Sequence, residues 1–419
     1  MLRTEKTEVL VVGAGPVGMV TALLLAQNGI EVTVIDQENR TATHTHACGL
    51  HPRTLDLLER IGLLDDVLAL GRRIEKVGFY DRGGRRAEVR LSELSDEHPF
   101  AVVLPQSELE GLLERELKER AKIEVHWNHH LSDLQMSAGT VQATIDKLEE
   151  TTKGYIVRDV EWVVEKTFQT QAAFVVGADG QNSQTRHCLG IEYPGFFQPQ
   201  RFVVFQIETD ADFGGEAKVT FERHTTNVVW PLTSGSCRWS FEWVPDERVE
   251  EFPGKERGPI VLEDAVEEKQ SRERLAALLS ERVPWFKGKI KQLTWCTEVQ
   301  FERKLARQFG QGRCWLVGDA AHQTSPVGMQ SMNAGLVEAE FLAECLQKVL
   351  RKNAPLDLLK SYDHERRKEW ERLLGLKGGL KPSAKTDPWV QQHAGEILPC
   401  LPGSGGDVGM LAAQLGLDF

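Results

Sequence analysis

Three short apolar runs, each ending in a turn that contains glycine, stand out in the hydrophobic pattern of the chain. They are "VLVVGAG" (9–15), "FVVGADG" (174–180) and "CWLVGDA" (314–320). Apolar runs without alternation are typical of strands buried on both faces, as in a parallel sheet covered by helices. Ligands of such sheets bind beyond the carboxyl ends of the strands. The pattern therefore predicts one nucleotide site assembled from early, middle and late parts of the chain.

The segments between these runs predict helices and a second set of strands. Residues 105–120 place Leu109, Leu112, Leu113 and Leu117 on one face of a helix. The other expected elements are a β-meander in 123–176, antiparallel strands of a second sheet in 200–245, a helix at 263–283, a strand at 290–303, a helix after the 318–335 loop that runs to about Arg351, a loop-like tail over 376–403 and a last helix near 406–416.

Composition and charge narrow the classes of protein to consider. The 419 residues are 41% hydrophobic and 27% charged, which is ordinary for a globular chain, and the net charge of −12 argues against a nucleic-acid partner. No apolar run reaches the roughly 18 residues that span a bilayer, and the N-terminus lacks the features of a secretory signal. The seven cysteines form no CxxC pair, which favours reduced thiols in a cytoplasmic enzyme over disulfides or zinc.

The segment "VVGAGPVGMVTALLLAQNGIEVTVID" (11–36) carries the strongest single signal. Gly13 permits a tight turn, Gly15 lets the backbone approach a pyrophosphate, and Gly18 lets the helix pack closely on the strand. The helix N-terminus offers free N–H groups to phosphates, and Asp36 ends the next strand, where it can bind ribose hydroxyls. The expected nucleotide contacts in this segment are Gly13, Gly15, Pro16, Val17, Gly18, Asp36 and the adjacent Gln37.

The first segment alone does not separate FAD from NAD. The chain has no second GxGxxG, which argues against separate Rossmann domains for a flavin and a nicotinamide. Asp179 and Asp319 end two further strands, and two extra acids at the same sheet edge suit a longer ligand with a ribityl chain. The sequence therefore favours FAD as the bound cofactor.

Three motifs together resemble those of the class A flavoprotein monooxygenases, the aromatic hydroxylases of the p-hydroxybenzoate hydroxylase type. They are "GAGPVG" (13–18), "GADGQNSQTR" (177–186) and "GDAAHQTSP" (318–326), in the order expected of that family. The segments "LHPRTLDLLERIGL" (50–63) and "LPQSELEGLL" (104–113) also resemble family segments. The tail does so as well, and the resemblance therefore extends over nearly the whole chain.

The resemblance implies a fold and its division. It implies an α/β protein with a Rossmann-like FAD-binding domain, built on a parallel sheet and a β-meander, and a substrate domain with a mixed or antiparallel sheet and C-terminal helices. The expected boundaries are 1–75, 105–188 and 300–375 for the FAD-binding domain, 76–104 and 189–299 for the substrate-binding domain, and 376–419 for a C-terminal segment of helix and loop.

The resemblance also implies roles for single residues. Asp179 would lie near the pyrophosphate, Asp319 would bind the ribityl chain, and Pro326 would lie by the reactive edge of the flavin. A helix starting near Ser331 would direct its positive end at the flavin ring. Pro326, Gln330 and Asn333 are the expected catalytic residues. The further expected FAD contacts are His46, Arg53, Gln106, Asp179, Gly180, Arg186, Gly318, Asp319, Gly328, Met329, Gln330, Ser331, Met332 and Asn333.

The activity that the resemblance implies is insertion of one oxygen atom from O2 into an aromatic molecule, phenolic or polycyclic. NADH or NADPH would reduce FAD, and a flavin C4a-hydroperoxide would transfer the oxygen. A monomer or a homodimer is expected. The alternatives are a flavin-dependent halogenase or a reductase of the same fold, and a non-catalytic protein that binds FAD or an aromatic ligand. "WSFEWVP" (239–245) lacks the Trp-x-Trp-x-Ile-Pro spacing of the halogenases.

Two departures from the family pattern leave alternatives open. Met329 and Ser331 stand where the family usually has glycine, so they either displace the flavin ring slightly or shape the substrate cavity, and Ser331 alternatively caps the helix. His46 stands where an arginine is common. His44 and His46 either contact the flavin or its phosphates, act near the substrate, are plain loop residues or, as the sharpest alternative, are metal ligands; no metal is expected.

Aromatic residues of the second sheet are the candidates for substrate contact. Trp230, Trp239 and Phe241 lie in or beside "VVWPLTSGSCRWSFEW" (228–243), which is expected to line the substrate cavity. Their rings either stack on an aromatic ligand or pack in the core, and core packing is the commoner role of such side chains.

Overall fold

The computed structural model describes residues 4–41, 49–95, 97–153, 159–233, 235–243 and 265–419. The helices in these residues are α1 (Pro16–Gln27), α2 (Pro52–Arg60), α3 (Leu64–Leu70), α4 (Gln106–Glu116), α5 (Gln184–Cys188), α6 (Ala265–Arg282), α7 (Gln330–Lys352), α8 (Leu358–Leu373), α9 (Pro388–Ile397) and α10 (Gly406–Gln414). Short 3₁₀ turns lie at Leu91–Glu93, Gly318–Ala320 and Leu398–Cys400, and a π-helical turn lies at Leu117–Ala121.

The strands in the same residues are β1 (Thr4–Val12), β2 (Val32–Ile35), β3 (Gly49–Leu50), β4 (Arg72–Ile74), β5 (Lys76–Asp81), β6 (Gly84–Arg90), β7 (Ala101–Val103), β8 (Val125–His126), β9 (His129–Met136), β10 (Val141–Lys153), β11 (Asp159–Gly177), β12 (Gln200–Thr209), β13 (Glu216–Glu222), β14 (Thr225–Pro231), β15 (Ser236–Trp243), β16 (Ile290–Phe301), β17 (Lys304–Leu305), β18 (Gly310–Gln311), β19 (Cys314–Leu316), β20 (His322–Gln323), β21 (Lys381–Pro382) and β22 (Leu417–Asp418).

The first sheet confirms the expected parallel arrangement. Its strand order is β18-β19-β11-β1-β2-β8, and β19, β11, β1, β2 and β8 run parallel to one another. The three apolar runs singled out in the sequence form the adjacent strands β1, β11 and β19. Val12 pairs with Gly177, and Gly177 pairs with Leu316, so the three turns leave the same edge of the sheet side by side. The strands β9, β10 and β11 form the expected antiparallel meander.

Two glycines, Gly335 of α7 and Gly318 of the 3₁₀ turn before it, lie against α1. A Cβ at Gly335 would lie 2.9 Å from a methyl group of Val17, and a Cβ at Gly318 would lie 3.2 Å from the same methyl group. Small residues at both positions therefore let the backbone of the late motif approach α1 closely. Helix α1 is buried on most of its surface because it lies between the sheet and α7, which explains its nearly uniform apolar sequence.

The second sheet is mixed, as expected. Its order is β16-β12-β15-β14-β13-β5-β6, with antiparallel pairing except between β13 and β5, which are parallel. One face of this sheet joins the core of the nucleotide fold. The opposite face packs under α6 and forms a separate core. Side chains that alternate along a strand therefore enter different cores.

The prediction of a loop over 376–403 is wrong for part of the tail. Helix α9 occupies Pro388–Ile397, and the 3₁₀ turn follows it directly. The side chain of Asp387 accepts a hydrogen bond from the Trp389 backbone N–H, and Pro388 takes the first helical position. Asp-Pro at a helix start is a recognisable capping signal, but the Gly and Pro residues around it obscured the pattern. Within the described residues, every helix is too short or too polar to cross a membrane.

Candidate functional site

The glycine turn after β1 packs against neighbouring backbone at Gly13 and Gly18, and has free space beside Gly15. A Cβ at Gly13, where φ is +104°, would collide with the Ala178 carbonyl oxygen, and a Cβ at Gly18 would collide with the Gly13 carbonyl oxygen. A Cβ at Gly15, in contrast, would meet no atom within 4 Å. The space above Gly15 therefore suits a group that approaches the backbone closely, as a pyrophosphate does.

The N-terminus of α1 faces this space without a competing cap. Gly15 is the N-cap residue, Pro16 follows it, and no acidic side chain lies in the first turn. Free N–H groups and the positive end of the helix dipole are thus available to an anion. Asp36 is held at the same turn because its Oδ2 accepts from the Ala14 N–H at 2.6 Å and its Oδ1 accepts from the Glu38 N–H at 2.8 Å. Gln37 beside it is exposed.

The middle motif holds its own turn together. Asp179 accepts from the Ser183 hydroxyl at 2.5 Å through Oδ1, and from the N–H and hydroxyl of Thr185 at 2.8 and 2.9 Å through Oδ2. Burial raises the pKa of this carboxyl group, and these three hydrogen bonds act against that rise. Gly180 follows with φ +71° and open space where a Cβ would stand.

Arg186 connects the middle motif to the late one. Its guanidinium donates to the Ala320 carbonyl oxygen at 2.8 Å and to the Gln181 carbonyl oxygen at 2.9 Å. It also lies 4.0 Å from the centroid of the Tyr193 ring. These contacts give Arg186 a part in holding the two turns side by side.

The late motif presents a carboxylate at the sheet edge. Gly318, with φ +61°, follows β19, and Asp319 comes next. The Ser331 hydroxyl donates to Asp319 Oδ1 at 2.6 Å, and the Tyr193 hydroxyl donates to the Asp319 carbonyl oxygen at 3.1 Å. Burial raises the pKa of Asp319, and the bond from Ser331 acts against that rise. Within the described residues Oδ2 has no hydrogen-bond partner, so it remains available to a ligand hydroxyl.

A tight turn joins the late motif to α7. The Met329 N–H donates to the Pro326 carbonyl oxygen at 3.2 Å, and Met329 is the N-cap residue of α7 with φ 54° and ψ 28°. Pro326 and Met332 are half-buried on either side of this turn. The expectation that the helix begins near Ser331 is therefore correct to within one residue, whereas the alternative that Ser331 caps the helix is wrong.

Asn333 has no hydrogen-bonding capacity left for chemistry. Its Oδ1 accepts from the His51 N–H at 2.8 Å and from the Thr54 hydroxyl at 2.7 Å, and its Nδ2 donates to the carbonyl oxygens of Gly49 at 2.9 Å and Met329 at 2.8 Å. Two bonds to the oxygen and two from the nitrogen exhaust a buried side-chain amide. The expected catalytic role of Asn333 is therefore corrected to a clamp between α7, β3 and α2.

Gln330 is likewise engaged with the protein. It is fully buried, and its Nε2 donates to the carbonyl oxygens of Leu398 and Leu401, each at 3.1 Å. The neighbouring Gly328 carbonyl oxygen accepts from His51 Nε2 at 2.9 Å. The amide nitrogen of Gln330 thus holds the C-terminal tail, but within the described residues its buried Oε1 has no hydrogen-bond partner, so the catalytic role expected of Gln330 stays a prediction. Pro326 alone of the three expected catalytic residues has no side-chain role in these clamps.

The remaining expected cofactor contacts are Arg53, Gln106 and His46, and their contact with the cofactor stays a prediction. Arg53 is exposed on α2, where its Nη1 would lie 3.0 Å from a Cβ at Gly405 in the tail. Gln106 donates to Glu110 Oε1 at 2.7 Å at the start of α4. His46, like His44, lies outside the described residues.

The second sheet separates the three aromatic candidates for substrate contact. Trp239 and Phe241 lie in the core under α6, stacked on each other with ring centroids 5.2 Å apart. Trp230 lies on the opposite face, in the core shared with the nucleotide fold. Of the three, only Trp230 thus shares the core of the nucleotide fold, whereas Trp239 and Phe241 take the alternative left open for them, packing in a core. Sequence alternation shows that neighbours face opposite ways, but not which face is which.

Sequence reasoning missed Glu338, which supports the late motif from behind. Its Oε2 accepts from the Gly318 N–H at 3.0 Å and from His322 Nε2 at 2.7 Å, and its Oε1 accepts from Trp370 Nε1 at 2.7 Å. The His322 ring stacks on Trp370 with centroids 3.8 Å apart. A carboxylate within the apolar face of a helix is the signal that would have found it, since buried charges need partners.

Comparison with known proteins agrees with this geometry. The FAD binding domain family matches residues 6–375. The chain is a member of that family. Its resemblance to the class A FAD-dependent monooxygenases is thereby confirmed, and so is its expected fold class.

The relatives of this FAD-binding protein carry the names of aromatic monooxygenases. Para-nitrophenol 4-monooxygenase of Pseudomonas sp. (strain WBC-3) is 26% identical over 365 residues, which cover 86% of this chain and 82% of the relative. 6-Methylpretetramide 4-monooxygenase of Streptomyces rimosus is 29% identical over 374 residues, which cover 88% of this chain but only 60% of the relative. The chain thus spans most of the first relative and less than two thirds of the second.

Solved structures share the fold. The p-nitrophenol 4-monooxygenase PnpA from Pseudomonas putida DLL-E4 superposes with a TM-score of 0.72 at 22% identity, covering 98% of this chain and 94% of that one. Aklavinone-11 hydroxylase, solved with FAD and aklavinone, superposes with a TM-score of 0.68 at 22% identity, covering 88% of this chain and 67% of that one.

The two departures of this FAD-binding protein from the glycine pattern now have local explanations. Met329 keeps the left-handed backbone that glycine favours, and its thioether fills the space beside Gly49 where a side chain would otherwise stand. Left-handed backbone at a non-glycine residue costs roughly 1–2 kcal/mol, which the burial of the Met329 side chain offsets. Ser331 adds a hydrogen bond to Asp319 that glycine cannot make.

The burial of His51 predicts acid sensitivity. Desolvation lowers the pKa of His51 from 6.5 to about 4, so the folded state keeps the ring neutral while the unfolded state protonates it. His51 therefore lowers the free energy of unfolding very little above about pH 7, and lowers it progressively as the pH drops toward 4. Between pH 7 and 5, urea titrations should show a loss for the wild type about 2 kcal/mol larger than for His51→Gln. Equal losses in both proteins would contradict this account.

Proposed function

We propose that this chain is a FAD-dependent monooxygenase that uses NADH or NADPH and O2 to insert one oxygen atom into a phenolic small molecule. One observation carries the proposal. The three motif turns lie side by side at one sheet edge, with open space above Gly15 and an available Asp319 oxygen at the far turn. This elongated edge suits a dinucleotide that carries a ribityl chain.

Different residues of the chain would bind different parts of such a cofactor. The N–H groups at the start of α1 would bind the pyrophosphate, Asp36 would accept from ribose hydroxyls, and Asp319 Oδ2 would accept from a ribityl hydroxyl. The N-terminus of α7, beyond Pro326, would place its positive end by the ring and favour negative charge there. FAD, when bound, supplies the transfer of electrons from the nicotinamide and of oxygen to the substrate.

A row of side chains across the second sheet supports the proposal of a phenolic substrate. Trp230, Arg238, Gln206 and Trp295 pair in register across β14, β15, β12 and β16, on the face whose tryptophans join the nucleotide core. Arg238 donates to Gln206 Oε1 at 2.9 Å, and its guanidinium lies 5.3 Å from the Trp295 ring centroid. Aromatic rings and hydrogen-bonding groups in one row suit an aromatic ligand that carries a polar substituent, as a phenol does.

The packing of the two hydrophobic cores supports the expected division of the chain into domains. We assign 1–75, 105–188 and 300–375 to FAD binding, 76–104 and 189–299 to substrate binding, and 376–419 to a C-terminal segment. The core under α6, which is separate from the main core, supports a substrate region with packing of its own. Strand β16 ends at Phe301, two residues beyond the proposed boundary.

The function is tested with purified protein and a panel of phenols. Protein with bound FAD should oxidise NADH or NADPH faster when a phenol such as 4-nitrophenol or 4-hydroxybenzoate is present. Mass spectrometry of a reaction under ¹⁸O₂ should show one labelled oxygen in the product. Bound FAD that no nicotinamide reduces would contradict the proposal, and oxidation of nicotinamide without labelled product across the panel would favour a reductase.

Asp319→Ala is expected to weaken FAD binding by about tenfold to a hundredfold, because the ribityl chain loses a charged acceptor. Asp319→Asn, which keeps one acceptor oxygen, should retain more of the affinity. Fluorescence titration of the apoprotein with FAD measures both constants. An unchanged dissociation constant in Asp319→Ala would show that Asp319 does not contact the cofactor.

A further inference from the structure

The C-terminal tail, which lies beyond the family match at 6–375, reaches the loop proposed to contact the flavin. The contact runs through Gln330, whose amide nitrogen donates to the carbonyl oxygens of Leu398 and Leu401, each at 3.1 Å. Leu398 is the first residue of the 3₁₀ turn that follows α9, and Leu401 comes directly after its last residue. One side chain in the first turn of α7 therefore binds both ends of this turn.

Gly328 brings the two backbones into direct contact. A Cβ at this position would lie 2.6 Å from the Pro399 carbonyl oxygen and 2.9 Å from that of Leu401. On its other side, the Gly328 carbonyl oxygen accepts from His51 Nε2. The loop is thus enclosed between the tail and the start of α2, and a shift of the tail would displace it.

The other parts of the tail are anchored on the second sheet. The rings of Trp389 and His393 lie against Phe221 of β13, with centroids 5.8 and 5.2 Å from the Phe221 centroid. Farther along, Gln414 Oε1 accepts from the Arg90 N–H at 2.7 Å, and Gln414 Nε2 donates to the Arg90 carbonyl oxygen at 2.9 Å. The tail therefore connects the loop before α7 to the edge of the sheet that carries Trp230.

We propose that residues 386–416, the C-terminal clamp, set the position of residues 326–333, which comprise the loop before α7 and the first turn of α7, and that Gln330 is the positioning residue that couples the clamp to the flavin. This inference rests on the proposed FAD site. If the docked clamp favours the loop position that binds FAD, then bound FAD must favour the docked clamp by the same factor, because coupling between two sites is reciprocal. A tail with a purely structural role would not respond to FAD.

Hydrogen exchange of the clamp tests this reciprocity. Peptides covering 388–416 are followed by mass spectrometry in the apoprotein and after addition of FAD. FAD should slow exchange of these peptides by about tenfold in the wild type. In Gln330→Ala the FAD-dependent protection should be lost, and the dissociation constant for FAD should rise by about tenfold, the effect expected for one or two hydrogen bonds.

Gln391 offers a matched control within the clamp. Its Nε2 also donates to a carbonyl oxygen, that of Thr386 at 2.8 Å, but this bond lies within the tail and does not reach the loop. Gln391→Ala should therefore keep both the FAD-dependent protection and the wild-type affinity. Trp389→Ala, which loosens the clamp at the sheet, should weaken FAD binding severalfold although the residue is on the sheet side of the clamp.

The possible outcomes distinguish failure of the C-terminal clamp proposal from failure of the proposed function. Wild-type protein that binds FAD while the exchange of 388–416 stays unchanged would overturn the clamp and leave the proposed function standing. Equal FAD affinities in the wild type and Gln330→Ala would do the same. Wild-type protein that does not bind FAD would overturn the proposed function itself. The wild-type comparison needs no variant, so it decides the question even if Gln330→Ala fails to fold.

Discussion

Replacing Gly15 by Val should abolish retention of FAD while leaving the fold intact. The added side chain would enter the open space above the turn, where no protein atom lies within 4 Å of the Cβ position, and would exclude a pyrophosphate from it. The backbone of Gly15, at φ −70° and ψ 176°, suits a β-branched residue, so the apoprotein should lose only the roughly 1 kcal/mol expected for replacing an N-cap glycine. The dissociation constant for FAD should rise at least about a hundredfold, or roughly 3 kcal/mol, in fluorescence titrations.

Two other glycines serve as controls for this change. Gly111 is exposed on α4, also with no atom within 4 Å of its Cβ position, so Gly111→Val should bind FAD like the wild type. Gly18→Ala should lose both stability and FAD, since its Cβ would collide with the Gly13 carbonyl oxygen. Gly15→Val that binds FAD with wild-type affinity would show that the cofactor does not approach this turn.

Replacing Glu338 by Ala should cause the largest loss of stability. The change leaves three buried donors without an acceptor, namely the Gly318 N–H, His322 Nε2 and Trp370 Nε1. Breaking a buried, hydrogen-bonded pair of this kind costs about 3–5 kcal/mol. Urea unfolding of the apoprotein at pH 7 measures the loss, and FAD affinity should fall as well because Gly318 precedes Asp319.

Glu338→Gln and Glu344→Ala are the matched variants. Glu338→Gln keeps one acceptor oxygen in the same place and should lose only about 1–2 kcal/mol. Glu344 lies on the same helix with its side chain 58% exposed, so Glu344→Ala should change the free energy of unfolding by less than about 0.5 kcal/mol. A loss of less than about 1 kcal/mol in Glu338→Ala would mean that other groups satisfy the three donors.

Local features of the sequence were sufficient to predict the nucleotide half of the molecule. Gly13 and Gly18 are required because a Cβ at either position would collide with neighbouring backbone. Such a turn is therefore recognisable from the spacing of its glycines in the sequence. The strands β1, β11 and β19 were predictable as apolar runs because they are covered on both faces. The end of α7 was also readable, since Asn353 takes the left-handed conformation expected of a C-cap.

The parts of the site that sequence reasoning did not foresee depend on contacts between distant residues. Asn333 bonds to His51 and Thr54, which lie 282 and 279 positions away, and Gln330 bonds to carbonyl groups about 70 positions further on. A polar residue at a loop near a ligand has the same local pattern whether its partner is the ligand or the protein. The three-dimensional partners alone distinguish a clamp from a catalytic group.

The amino-acid sequence by itself determined that this chain has a parallel nucleotide-binding sheet with three glycine turns, because close backbone packing admits few residue types. Its placement with the FAD-dependent monooxygenases rested on the resemblance of the three motifs to that family. The tertiary structure decided that Gln330 and Asn333 are clamps, that Ser331 bonds to Asp319, and that Trp239 and Phe241 lie in a different core from Trp230. Hydrogen-bond partners and sheet faces are set by the packing of elements far apart in the chain, which no local pattern encodes.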